Sequence, residues 1–143
     1  MKQTIIFFTL LMVAATVQGL AQTSGDKICG TWVNEEKTSH IEVYKESGKY
    51  FAKISWMKEP NTSSGKPKTD RNNPDSKLRD QPILGLVIVS DVEYRGGKWK
   101  NGTLYSPQKG QTVNCSFDLA SEGELLLTAS KGFFSTTKTW TRL

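Results

Sequence analysis

Apolar and polar residues alternate through most of the chain beyond residue 28 with the two-residue period of half-buried β-strands. Ile41, Val43 and Lys45 alternate with His40, Glu42 and Tyr44. Tyr50, Ala52, Ile54 and Trp56 alternate with Phe51, Lys53, Ser55 and Met57, and Val113, Cys115, Phe117 and Leu119 with Thr112, Asn114, Ser116 and Asp118. Further strands are expected over residues 30–34, 83–93, 98–106, 124–130 and 136–143. Turn residues stand between them at Glu46-Ser47-Gly48, Arg95-Gly96-Gly97, Pro107-Gln108-Lys109-Gly110 and Ser121-Glu122-Gly123. No helical period persists for about ten residues after the N-terminal segment, so the fold class is all-β, with about eight short antiparallel strands.

Eight such strands make a sandwich or an up-and-down barrel, and the two ends of the pattern favour the barrel. Gly30-Thr31-Trp32 opens the first strand and Thr139-Trp140-Thr141-Arg142 closes the last. In a closed barrel those strands are neighbours, so the Arg142 guanidinium can lie on the Trp32 indole and seal one end. Gly30, Trp32, Trp140 and Arg142 are therefore the expected structural residues. The Gly-x-Trp and terminal basic residue resemble those of lipocalin-like (calycin) proteins.

The N-terminus follows a different logic. Met1-Lys2-Gln3 is a short positive start, residues 4–17 are almost unbroken apolar, and Gly19-Leu20-Ala21 places small residues before a cut at Gln22. Residues 1–21 thus read as a secretory signal peptide and 22–143 as a single domain, exported to a periplasm or the cell exterior. The apolar run is short for a membrane span, and Asp26-Lys27-Ile28 before Cys29 is no lipidation box. The processed chain carries eighteen basic and fourteen acidic side chains, a net charge of +4. Its lysines are scattered, which argues against nucleic acid as a partner. Cys29 and Cys115 in an oxidising compartment leave open both a disulfide and two separate buried thiols.

One stretch breaks the alternation. Some twenty polar residues lie between strands ending near Glu59 and starting near Ile83, far more than a hairpin needs. Residues 61–67 read as flexible connector. Residues 73–79, Asn-Pro-Asp-Ser-Lys-Leu-Arg, read as one helical turn with Asn73 at the cap, Pro74 at the first position and Leu78 as an apolar plug. Two roles suit this loop. It is a lid over one barrel mouth, with Arg79 paired to Asp70, Asp75 or Asp80. Alternatively it is a site in which Asp70, Asn72, Asn73 and Arg79 hold a ligand's polar head while its apolar part lies near Trp56 and Ile54.

Catalytic chemistry finds few groups to work with. The sequence has no Gly-x-Ser-x-Gly, no His-Glu-x-x-His and no phosphate-binding glycine loop, and His40 is its single histidine. The acids of the loop lack the order and final glutamate of a calcium loop, so no metal or other cofactor is expected. Asn-x-Ser/Thr triplets at Asn61, Asn101 and Asn114 read as chance occurrences.

A second resemblance covers nearly the whole processed chain. Gly30-Thr31-Trp32, Trp56-Met57-Lys58-Glu59-Pro60, the residues Asp70-Arg71-Asn72-Asn73-Pro74-Asp75, Leu78-Arg79, Pro82-Ile83-Leu84-Gly85-Leu86, Tyr105-Ser106-Pro107 and Thr139-Trp140-Thr141-Arg142 follow one another as in a family of small exported bacterial proteins. That family is catalogued as domain of unknown function number twenty-one forty-seven. The chain departs from its pattern at Gln81, where an arginine is usual, and at Lys131-Gly132-Phe133, which is only similar. The resemblance implies an envelope location and no particular activity.

The sequence therefore points to an exported, non-catalytic, lipocalin-like barrel that binds a small apolar or amphipathic ligand or an envelope protein. The competing expectation is a packed barrel without a cavity, acting as an interaction module through exposed aromatics such as Phe51, Tyr44 and Trp99.

Overall fold

The computed structural model describes residues 24–143. The proposed signal peptide, residues 1–21, and residues 22–23 lie outside that range. Eight antiparallel strands close on themselves in chain order: β1 (Gly30–Val33), β2 (Ser39–Glu46), β3 (Lys49–Met57), β4 (Val87–Arg95), β5 (Lys98–Ser106), β6 (Gln111–Ser121), β7 (Glu124–Lys131) and β8 (Phe134–Arg142). Each strand pairs with its sequence neighbours, and β8 returns to β1 through Trp32 with Arg142 and Val33 with Thr141. Two short 3₁₀ turns, η1 (Ser24–Ile28) and η2 (Ser76–Leu78), complete the elements among the described residues. The expected all-β, up-and-down barrel is the fold observed.

One end of the barrel is plugged. Trp32 is fully buried, its indole N–H donates to the Ile28 carbonyl at 2.8 Å, and the Arg142 guanidinium lies 4.1 Å from its ring centre. Arg142 also donates to the carbonyls of Glu122, Cys29 and Lys27. It thereby ties the last strand to η1 and to the β6–β7 turn, and this web explains why the basic residue ends the pattern. Gly30 leaves room for it, since a Cβ there would stand 3.0 Å from an Arg142 nitrogen. The turn η1 lies across the barrel end and accepts further donors: the Trp99 indole reaches the Gly25 carbonyl at 2.9 Å and the Tyr50 hydroxyl reaches Asp26 at 2.6 Å. Inward-facing Val43, Tyr50, Ala52, Val89, Val92, Phe117, Leu125 and Leu127 fill the space above, each nearly inaccessible to water. Trp140 packs with them at 5.6 Å from the Phe117 ring.

The structure corrects several expectations, the first through irregular strand pairing. A bulge places Ser55 as an extra residue between the pairs Ile41 with Ile54 and His40 with Trp56. The side-chain phase therefore flips. Trp56 points outward, 43% exposed and 4.4 Å from the His40 ring, and Met57 takes the inward place. Trp99 is a buried core residue rather than an exposed aromatic, whereas Tyr44 and Phe51 stack on the outer face at 5.8 Å. The fourth strand starts at Val87, four residues later than its pattern suggests, because residues 83–86 belong to the long connection. Cys29 and Cys115 are both free thiols. A bridge would have to join residues of β1's approach and of β6, which share no pairing, and Cys115 is instead packed beside Gly102.

Candidate functional site

The other end of the barrel carries the long β3–β4 connection, the β1–β2, β5–β6 and β7–β8 turns, and an opening. The connection is folded throughout. Its first half closes on itself through the Asn61–Pro67 bridge, Thr62 N–H to the Lys66 carbonyl at 2.7 Å and Lys68 N–H to the Pro60 carbonyl at 2.9 Å. The flexible connector expected over 61–67 is thus a small hairpin-like turn. A second bridge joins Thr69 to Pro82, which brings the two ends of the polar stretch together.

Asp70 organises the second half. Its side chain is fully buried, and both oxygens are occupied: Oδ1 accepts the Tyr105 hydroxyl at 2.7 Å, and Oδ2 accepts the amides of Asn73 at 2.7 Å and Gln81 at 3.2 Å. A buried carboxylate is tolerated only when donors replace its lost water, and three neutral donors do so here. Burial, then the hydrogen bond and negative charge of Asp70, push the Tyr105 phenol up to about 12. Asn73 passes the order onward, accepting from the Asp75 N–H with its side chain and from Arg79 Nε with its carbonyl, both at close to 2.9 Å.

Three details of the expected helical turn change. The turn is η2, and its cap is Asp75, whose carboxylate accepts the Lys77 N–H at 3.0 Å; Asn73 stands two residues earlier as the buried partner of Asp70. Leu78 is 44% exposed, so it plugs nothing. Arg79 is held by a backbone carbonyl, and among the described residues it takes part in no ion pair with Asp70, Asp75 or Asp80. The reason is common to all three. Asp70 is already saturated by uncharged donors, so the turn is anchored through Asn73 and has no need of an apolar plug or a salt bridge.

A second anchor pins the lid across the mouth. The Asn72 amide donates to the carbonyls of Gln108 at 2.9 Å and Pro107 at 3.3 Å in the β5–β6 turn. Gly110 makes that contact sterically feasible, because it lies at φ +61° and a Cβ there would sit 1.9 Å from the Asn72 carbonyl oxygen.

Beside this lid lies a cavity of about 570 Å³. Its floor is the buried apolar set Ile41, Ile54, Ile88 and Trp140, with Met57, Ile83 and Leu104 on its walls. Its rim is polar: Lys68, Arg71, Asn72, Gln108 and Glu36. Glu36 is held by Lys138 at 2.9 Å, which together with their charges lowers its carboxyl from the usual range. Lys68 lies 3.7 Å from the largely exposed Glu59, and Arg71 is engaged by no carboxylate among the described residues. Of the expected ligand residues, Asn72 lines the cavity, Asp70, Asn73 and Arg79 hold the lid, and Trp56 lies on the outer wall. Lys68, Arg71 and Tyr105 carry no local sequence signal that sets them apart as site residues. Arg71 is one of several neighbouring loop polars, and the contact of Tyr105 with Asp70 spans thirty-five residues.

A family model described as an uncharacterized protein conserved in bacteria (DUF2147) matches residues 30–142. No curated protein matches the chain. Among solved structures, the chain is similar to protein HP1028 from the human pathogen Helicobacter pylori, whose description assigns it to the lipocalin family. The two share 29% identity with a TM-score of 0.71, over 80% of this chain and 82% of that one.

Proposed function

The chain belongs to this family of bacterial proteins and has a lipocalin-like barrel, and from that premise we propose that it is an exported, non-catalytic protein that takes up a small amphipathic ligand through the open mouth. The observation that carries the reading is the division of the barrel interior. Below, side chains fill it; above, about 570 Å³ stays open over an apolar floor with a cationic rim. That volume is in the range of small-molecule pockets, and an apolar floor with a few polar groups at one side selects molecules with a tail and a head. Arg71, with Lys68 and Asn72 beside it, would meet an anionic head group. Asp70, Asn73 and Arg79 would act behind them by fixing the lid. The packed, cavity-free module has less support, since its interior would have to be filled up to the rim.

The test is a titration with anilinonaphthalene sulfonate, a fluorescent probe with an apolar ring system and one anionic group. Saturable enhancement is expected for the wild-type protein. Arg71→Ala should weaken it by about 1.5–3 kcal/mol, the value of a charge-assisted hydrogen bond, with the melting temperature unchanged because the side chain is exposed. Equal affinity for both proteins would remove Arg71 from the site. No saturable binding at all would sink the ligand reading.

A further inference from the structure

The charge that the barrel does not neutralise is concentrated at the mouth. The connecting segments there, with the last residue of β7 and the first five of β8, residues 34–38, 58–86, 107–110 and 131–138, hold ten lysines and arginines against six acids. The rest of the described chain holds eight of each, so the net +4 belongs to one end of the molecule.

The same end carries the two most exposed aromatic side chains, Phe133 and Phe134, with relative exposures of 106% and 85%. They sit at the tip of the β7–β8 hairpin, where Gly132 takes φ +60° at the first central position of a two-residue turn and Phe133 takes the second. Lys131 pairs with Phe134 directly across that turn. On its other side β8 pairs with β1 only through Thr141 and Arg142, so this tip stands clear of β1. Among the described residues neither phenylalanine makes a ring contact.

We propose that this tip and the basic mouth around it dock on an anionic lipid bilayer, with Phe133 and Phe134 entering the headgroup boundary and the surrounding cations facing lipid phosphates. Two adjacent, uncovered aromatics are costly in water and gain where an apolar ring can leave it, while the cations keep their solvation among headgroups. An interface of that kind rewards both features at once. A second copy of the chain is a poorer occupant, because apposed mouths would bring two +4 ends together. A purely electrostatic partner such as nucleic acid would leave the phenylalanines unexplained. The docking places the mouth against the bilayer, but it does not depend on the cavity being a ligand site.

Co-sedimentation with vesicles tests it. The purified wild-type protein should pellet with phosphatidylglycerol vesicles at low salt, pellet less with phosphatidylcholine vesicles, and dissociate as salt rises. The double variant Phe133→Ser/Phe134→Ser, prepared in the same form, should bind phosphatidylglycerol about tenfold or more weakly with an unchanged melting temperature. Equal binding by the variant overturns the proposal, as does a wild-type protein that stays in the supernatant with anionic vesicles. So does a phenylalanine-dependent dimer in sedimentation without vesicle binding, which would assign the tip to a second copy.

Discussion

Asp70 is the residue on which the mouth depends, and its role follows from elementary solvation. A fully buried carboxylate is tolerated only while donors replace its lost water, and here Tyr105, Asn73 and Gln81 bring β5 and both ends of the lid to one point. Asp70→Ala leaves those donors without an acceptor, and urea unfolding should report a loss of about 3 kcal/mol. Tyr105 adds a pH signature. Its folded phenol is raised to about 12 while an unfolded tyrosine titrates near 10, so its contribution is complete below about pH 10 and lost as pH rises towards 12. The stability gap between the wild-type protein and Tyr105→Phe should therefore narrow between about pH 9.5 and 12. The thiols give a third check. Burial raises both, Cys115 to about 12, so a thiol reagent at neutral pH should react slowly with the native protein and find two free thiols after unfolding. At this scale the sequence was partly legible. Asp70 and Asn73 stood out as loop polars, but their burial depends on Tyr105, thirty-five residues away, and no local pattern reports such a contact.

At the scale of elements, strand order was legible and strand phase was not. Alternation located the strands because one face of each is buried, and the terminal Gly30-Thr31-Trp32 and Trp140-Thr141-Arg142 segments located the seam because Arg142 must reach both η1 and Trp32. One extra residue, Ser55, was enough to turn Trp56 from the interior to the outer wall, since a bulge shifts the period without changing the composition. The lid is recognisable by its length but its fastening is not, because a Leu78 plug and an Arg79 salt bridge are the local solutions whereas the actual anchors, Asp70 and Asn72, reach partners distant in sequence. Trp32→Ala should cost about 3–5 kcal/mol by calorimetry, as it empties the plugged end and orphans the Ile28 carbonyl. Gly110→Ala acts on the opposite end. A methyl group 1.9 Å from the Asn72 carbonyl oxygen must push the lid off the β5–β6 turn, so amide exchange over residues 69–81 should accelerate while β6 and β7 stay protected.

For the whole molecule, the two ends of one barrel differ in the side chains that enter it. Large inward residues, Trp32, Tyr50, Trp99 and Phe117, fill the end closed by η1, whereas Ile41, Ile54 and Ile88 leave the other end open under a lid that is fastened at its edges. If the open half takes up a ligand as proposed, stability and binding are separable, with the packed half carrying the first and the open half the second. Calorimetric titration with dodecanoate, a single-chain carboxylate, tests that claim most directly when run on the wild-type protein and on Ile88→Trp, which fills the cavity floor. The wild-type protein should bind one molecule with a negative heat-capacity change, and the filled variant should remain folded and bind none. Equal binding by both proteins, or no heat from either, would contradict it.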